Sequence, residues 1–108
     1  MAADGNYIVV MVTAASEDEA VAIANHLVYH HLAACVSLFP ISSTYIWNNQ
    51  ICQEQEWQLI IKTQQQQFSP LETAVRELHS YAIPEVIAVP VIAGSLPYLN
   101  WISTQVNE

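Results

Sequence analysis

The sequence predicts an α+β domain in the order βαββαβ, an antiparallel sheet with both helices on one face and a short helix at the end. Three observations carry this. Apolar, β-branched runs stand near both ends of the chain, two stretches with helical apolar spacing open on capping residues, and two long extended stretches meet at Asn48 and Asn49. A chain of 108 residues supports one core and no second. Residues 1–6 are expected to be a flexible N-terminus and residues 7–108 a single domain.

Tyr7 to Thr13 (YIVVMVT) is continuous and apolar, the pattern of a strand buried on both faces. Ser16 followed by Glu19 forms a capping box, and Glu17, Asp18 and Glu19 put negative charge at the positive end of the helix dipole. The helix buries Ala20, Ile23, Ala24, Leu27 and Val28, and its pattern fades near Leu32. Ala33 to Trp47 is extended in composition, with Pro40 suggesting an edge or a bulge. Asn48 and Asn49 tolerate the positive φ of a tight hairpin turn, and Ile51 to Thr63 follows as the third strand. That turn places Cys35 opposite Lys62 and Cys52 opposite Tyr45, too far apart for a disulfide.

The run Gln64 to Gln67 is expected to be a solvated loop. Ser69, Pro70 and Glu72 form a second capping box with proline at the first helical position, and Leu71, Ala74, Val75 and Leu78 face the core until the helix ends near Ser80. Glu85 to Ala93 is the fourth strand, interrupted by Pro90. After a turn at Gly94 to Pro97, Tyr98, Trp101, Ile102 and Gln105 line one side of a terminal helix.

Composition narrows the function. Hydrophobic residues make up 53% of the chain and charged ones 11%, against a usual charged share of about 25%. Disorder and a charge-solvated coiled coil are excluded. Lys62 and Arg76 face ten acidic residues, and a net charge of -8 argues against phosphate neutralisation, so neither nucleic acid nor an anionic membrane is an expected partner. No apolar run approaches the roughly 18 residues of a membrane helix, and MAADGN lacks the basic and apolar regions of a signal peptide. The two cysteines suit a reducing compartment, and the expected location is cytoplasmic.

The βαββαβ order is the ferredoxin-like, split-βαβ arrangement. Its second and third strands, at more than twice the usual length of about 5 to 6 residues, should project beyond the helices. An overhang carrying Tyr45, Ile46, Trp47 and Trp57 would aggregate if left bare, so strand pairing between copies is expected.

The blocks LAACVSLFP (32–40), STYIWN (43–48), LIIKT (59–63), YAIPEVIAVPV (81–91) and YLNWI (98–102), with an earlier TAAS segment, resemble in order and spacing the signature of CutA, the divalent-cation tolerance family. The resemblance implies a homotrimer of ferredoxin-like subunits similar in architecture to PII signalling proteins. It also implies a non-enzymatic protein of the response to metal ions, with copper or another divalent cation as ligand and no required cofactor. Some family members carry a cysteine before the TA of the first strand and a doubled histidine before the PY motif. This chain has Val12 at the first position and Leu78 with His79 at the second, so His79 alone remains of that ligand set. Lys62, Tyr81, Glu85 and Trp47 are the further candidates for a cleft between subunits.

Each candidate has a plainer account. His26 and His30 share a helix face with the spacing of a two-histidine metal pair, yet with His31 they also suit solvent exposure at a helix C-terminus. His79 is either a ligand or a helix cap, with Glu85 and Lys62 as a structural ion pair. A metal site, if formed, should depend on His79 more than on His26 and His30. Cys35 is expected in the core, Cys52 near the surface, and Trp47, Trp57 and Trp101 in the interface or core. No nucleophile motif, phosphate loop, CxxC or HExxH occurs, which sets catalysis last. A PII-like module binding a small metabolite or a partner protein is the alternative.

Overall fold

The computed structural model describes residues 6–108. The expected flexible N-terminus lies outside them apart from Asn6, whose carbonyl accepts a hydrogen bond from Gln65 N at 2.7 Å. The elements run β1 (Tyr7–Ala14), α1 (Glu17–Tyr29), β2 (Cys35–Trp47), β3 (Gln50–Gln64), a 3-10 turn (Gln65–Gln67), α2 (Phe68–Leu78), β4 (Val86–Pro90) and α3 (Leu96–Gln105). The strands form one sheet in the order β2-β3-β1-β4, every neighbouring pair antiparallel. This is the predicted ferredoxin-like α+β topology.

One face of the sheet makes the core. Ile8, Val10, Val12 and Ala14 of β1 and Leu59 and Ile61 of β3 join Ala20, Ile23, Ala24 and Leu27 of α1 and Leu71, Ala74 and Val75 of α2. Side chains alternate along a strand, so Tyr7, Val9 and Met11 point the other way, where they are half-buried. β1 is therefore not buried on both faces as its composition suggests. Helices cover one side of the sheet, and the other is open in the single chain. Phe39, Ile87 and Val89 are exposed there too.

Ser16 caps α1 as predicted, its Oγ accepting from Glu19 N at 3.1 Å while the Glu19 carboxylate accepts from Ala15 N at 3.2 Å. The helix stops at Tyr29, short of Leu32, because His31 turns left-handed (φ 58°). Leu32 N then bonds to Leu27 O and His31 N to Val28 O, a Schellman closure. Val28, assigned to the core by its spacing, is 42% exposed.

The second capping box does not form. The glutamine run is solvated at Gln65 and Gln66 but is no irregular loop, since Gln64 ends β3 and Gln65–Gln67 form a 3-10 turn that leads straight into α2, so the helix begins at Phe68, ahead of Ser69, and ends at Leu78 with that side chain exposed. Gln67 is buried, and it joins Gln66 in donating to the Asn107 carbonyl. The C-terminal segment is thereby held against both helices, since Asn107 also donates to the carbonyls of His30 and His31. β4 is shorter than expected because β1, its only partner strand among the described residues, begins at Tyr7. On α3 the buried residues are Leu99 and Ile102, while Tyr98 and Trp101 face outward. Leu99 presses so closely on Gly94 that a Cβ there would stand 3.0 Å from its Cδ2.

The hairpin carries the predicted register, with Cys35 opposite Lys62 and Tyr45 opposite Cys52. Asn48 (φ 51°) and Asn49 (φ 63°) make its type I′ turn. Pro40 is accommodated on β2 because that strand is an edge. β1 reaches only as far as Trp57, so the hairpin continues from there with no third strand and leaves Ile46 and Ile51 about three-quarters exposed. Cys35 is half-buried on the open face beside Lys62, not in the core, because its register gives it the parity of Val9. Both cysteines are free.

Two outcomes are expected. Thiol titration of the denatured, unreduced protein should count two, and a count of none would contradict this register. Leu59→Ala, which empties a fully buried position in the core cluster, should lower unfolding stability by about 2–5 kcal/mol, read by urea denaturation at fixed protein concentration.

Candidate functional site

Where the overhang leaves the body of the domain, the sheet turns one set of side chains toward the α2–β4 connection. On β2 these are Ile41, Ser43, Tyr45 and Trp47, and on β3 they are Glu54, Glu56 and Gln58, each set spaced by two. Cross-strand pairing sets Ile41 against Glu56 and Ser43 against Glu54. With Thr13 of β1 and Tyr81, Ala82, Ile83 and Glu85 of the connection, they enclose an open cleft of about 620 Å³.

The connection is fastened at three points. His79 Nε2 donates to the Thr13 carbonyl at 2.6 Å, and its Nδ1 accepts from Tyr81 N at 3.0 Å. A carbonyl only accepts, so the proton sits on Nε2 and both ring nitrogens are engaged. The Tyr81 hydroxyl donates to Glu56 Oε2 at 2.8 Å, and Gln58 Nε2 reaches the Val12 carbonyl at 3.0 Å and Glu85 Oε2 at 3.4 Å. Beyond the cleft, Ser80 donates through its amide and hydroxyl to Glu19, tying the end of α2 to the start of α1. Burial works against the Glu19 carboxylate, but these bonds outweigh it and hold its pKa below the ordinary value.

Negative charge dominates the cleft. Glu56 is only 7% exposed, and no lysine or arginine stands among the lining residues. The Glu54 carboxylate, hydrogen-bonded to the Tyr45 hydroxyl, pushes that phenol up to about 12. Burial, and then the bond to Glu56, raise Tyr81 still further above the ordinary tyrosine value.

Of the residues singled out from sequence, Tyr81, Glu85 and Trp47 line this cleft. His79 stands behind it, its ring 4.7 Å from that of Tyr81. Lys62 does not join them. It sits along β3 opposite Cys35 and Val9, and its ion pair with Glu85 is not made, Glu85 taking Gln58 instead. Glu54, Glu56, Gln58, Tyr45 and Thr13 went unnoticed as site residues. The signal was present in QEQEWQ (53–58), where five of six residues are polar and Glu54, Glu56 and Gln58, two apart, fall on one face of the strand. Among the described residues, no group of three or more His, Cys, Asp or Glu converges as a metal site. No helix of the described residues is long and apolar enough to cross a membrane.

Comparison with known proteins decides the family. A family model described as CutA1 divalent ion tolerance protein matches residues 8–105. The chain belongs to the CutA1 family. It is 40% identical to the divalent-cation tolerance protein CutA of Thermus thermophilus over 95 residues, which is 87% of this chain and 92% of that one. It is 42% identical to Protein CutA of Homo sapiens over 105 residues, 96% of this chain but 58% of the human protein. The structure described as the periplasmic divalent cation tolerance protein CutA from Archaeoglobus fulgidus superposes with a TM-score of 0.92 at 36% identity, covering 94% of this chain and 99% of that one. CutA1 structures thus share the fold built here from sheet order and register.

Spectrophotometric titration of the phenols should show Tyr45 and Tyr81 ionising last. Glu54→Gln should lower the Tyr45 pKa, and Glu56→Gln that of Tyr81. Tyr45 keeps its proton longer folded than unfolded, so its contribution to stability is complete below about pH 10 and is lost as pH rises toward about 12. Tyr81→Phe, which strips the buried Glu56 of its donor, should cost about 1–3 kcal/mol.

Proposed function

We propose that this protein acts in divalent-ion tolerance as a cytoplasmic, non-enzymatic homotrimer, binding copper or another divalent cation at the cleft once a second copy has closed it. The observation that carries this is the cleft itself, which gathers Glu54, Glu56 and Glu85 without a lysine or arginine to balance them. Uncompensated carboxylates in a partly desolvated space attract cations. No three ligands converge within the described residues of one chain, so completing the coordination falls to the assembly. The open sheet face and the bare hairpin edge supply the reason to assemble, since both leave apolar side chains and strand edges without a partner. His79 serves the cleft by fixing Tyr81 and Thr13, because coordination through either ring nitrogen would break one of its two hydrogen bonds.

A second reading is favoured by the size and aromatic lining of the same cleft. A volume of about 620 Å³ with Trp47, Tyr45 and Tyr81 in its walls falls within the range of small-molecule sites, which suits a PII-like module that takes a metabolite.

Light scattering at micromolar concentration should give three times the mass of the chain, and a monomeric mass would defeat the assembly argument. Calorimetry with copper, zinc and a panel of metabolites separates the two readings. Metal binding that weakens at least tenfold in the Glu54→Gln, Glu56→Gln double variant supports the first. Binding of a metabolite alone supports the second.

A further inference from the structure

Three of the chain's four histidines, His26, His30 and His31, stand at the end of α1, and their ring nitrogens are committed differently. His26 and His30 are one helical turn apart on the same face. Their rings lie 4.1 Å apart and 28° from parallel, and the edge of Tyr29 braces His30 at 5.5 Å. His30 Nδ1 is 3.0 Å from the His26 carbonyl oxygen. The carbonyl can only accept, so Nδ1 carries the proton and the lone pair is on Nε2. Metal-ligating histidines are usually held in this way, the second ring nitrogen donating to a backbone carbonyl that fixes the tautomer and makes the ligand more basic. Among the described residues, the His26 ring has no partner other than that of His30. His30 is exposed and His26 half-buried, so water and ions reach both. The remaining two histidines differ. His79 has both nitrogens bonded, and His31 donates to the Gln105 carbonyl at 2.8 Å with no second imidazole stacked on it.

We infer that His26 and His30 form a two-histidine clamp on α1 for a borderline divalent cation, Cu²⁺ before Ni²⁺ or Zn²⁺. Neighbouring donor atoms on such an ion, with metal–nitrogen bonds of about 2.0–2.1 Å, stand roughly 3 Å apart. The rings are stacked with centroids 4.1 Å apart, so rotation about the side-chain torsions, which rotamer freedom on a helix surface allows, must turn both lone pairs onto one ion. Water fills the other coordination positions. Imidazole nitrogen selects Cu²⁺, Ni²⁺ and Zn²⁺ over the hard ions Mg²⁺ and Ca²⁺, which take oxygen ligands. The clamp lies within one chain and needs no second copy. It is separate from the carboxylate cleft and from Val12, Leu78 and His79, the positions to which the family resemblance points.

The test is a titration of the full chain with CuCl₂, followed by calorimetry and by the nitrogen hyperfine pattern in electron paramagnetic resonance. His26→Ala and His30→Ala should each weaken Cu²⁺ binding at the clamp at least tenfold, because one imidazole loses the chelate advantage of two. His79→Ala should leave this step unchanged. Ala22 is exposed one turn before His26, so adding Ala22→His to the His30→Ala variant should restore the pair and its affinity. All these side chains lie outside the core, and helix content by circular dichroism should match the parent. The clamp is overturned if the parent shows no two-nitrogen Cu²⁺ signal, if either single helix variant binds as the parent does, or if Ala22→His fails to rescue.

Discussion

The turn at Asn48 and Asn49 sets the register on which the other features depend. Two residues with positive φ join β2 to β3 without a bulge, and the pairing then runs unbroken from Trp47 and Gln50 to Cys35 and Lys62. A slip of one residue would exchange the two faces of β3. Leu59 and Ile61 would leave the helices, and Glu56 and Gln58 would enter the core. Because β1 pairs with β3 along its whole length, the same register also determines which side of β1 meets α1 and α2. The core and the acidic cleft are therefore opposite faces of one pairing decision.

Much of this was legible in the sequence because it depends on local chemistry. Strand order, the hairpin turn, the Ser16 cap and the position of Cys35 opposite Lys62 follow from side-chain period and from residues that tolerate unusual φ. The departures have a common cause in contacts made from far along the chain. The glutamine run reads as a loop until the carbonyl of Asn107, some forty residues later, gives it a partner. The α1 terminus reads as fraying toward Leu32 because nothing local marks His31 as the left-handed residue. Val28, Leu78 and Trp101 have helical spacing but fall beyond the edge of what the sheet covers.

The cleft was half legible. Tyr81, Glu85 and Trp47 belong to blocks that a reader of motifs notices, whereas Glu54 and Glu56 look like ordinary solvated strand residues. Only the three-dimensional arrangement reveals that Tyr81 reaches back over Glu56 and shields it. His79 shows the opposite case. Its position drew it forward as a ligand, while its two hydrogen bonds make it a fastener between the end of β1 and the connection before β4.

The anchoring of Asn107 bears on the order in which the chain can fold. The left-handed His31 would cost about 1 kcal/mol or more as a non-glycine residue, and the bonds that compensate come from Gln105 and Asn107. β1 likewise has no sheet neighbour until β3 and β4 exist. Residues 7–34 alone make an unpaired strand and a helix with an unsettled end. The end of α1 and both edges of β1 therefore rest on contacts closed over long stretches of chain, the kind of non-local pairing that slows folding relative to a helical bundle and leaves the apolar strand YIVVMVT uncovered until they form.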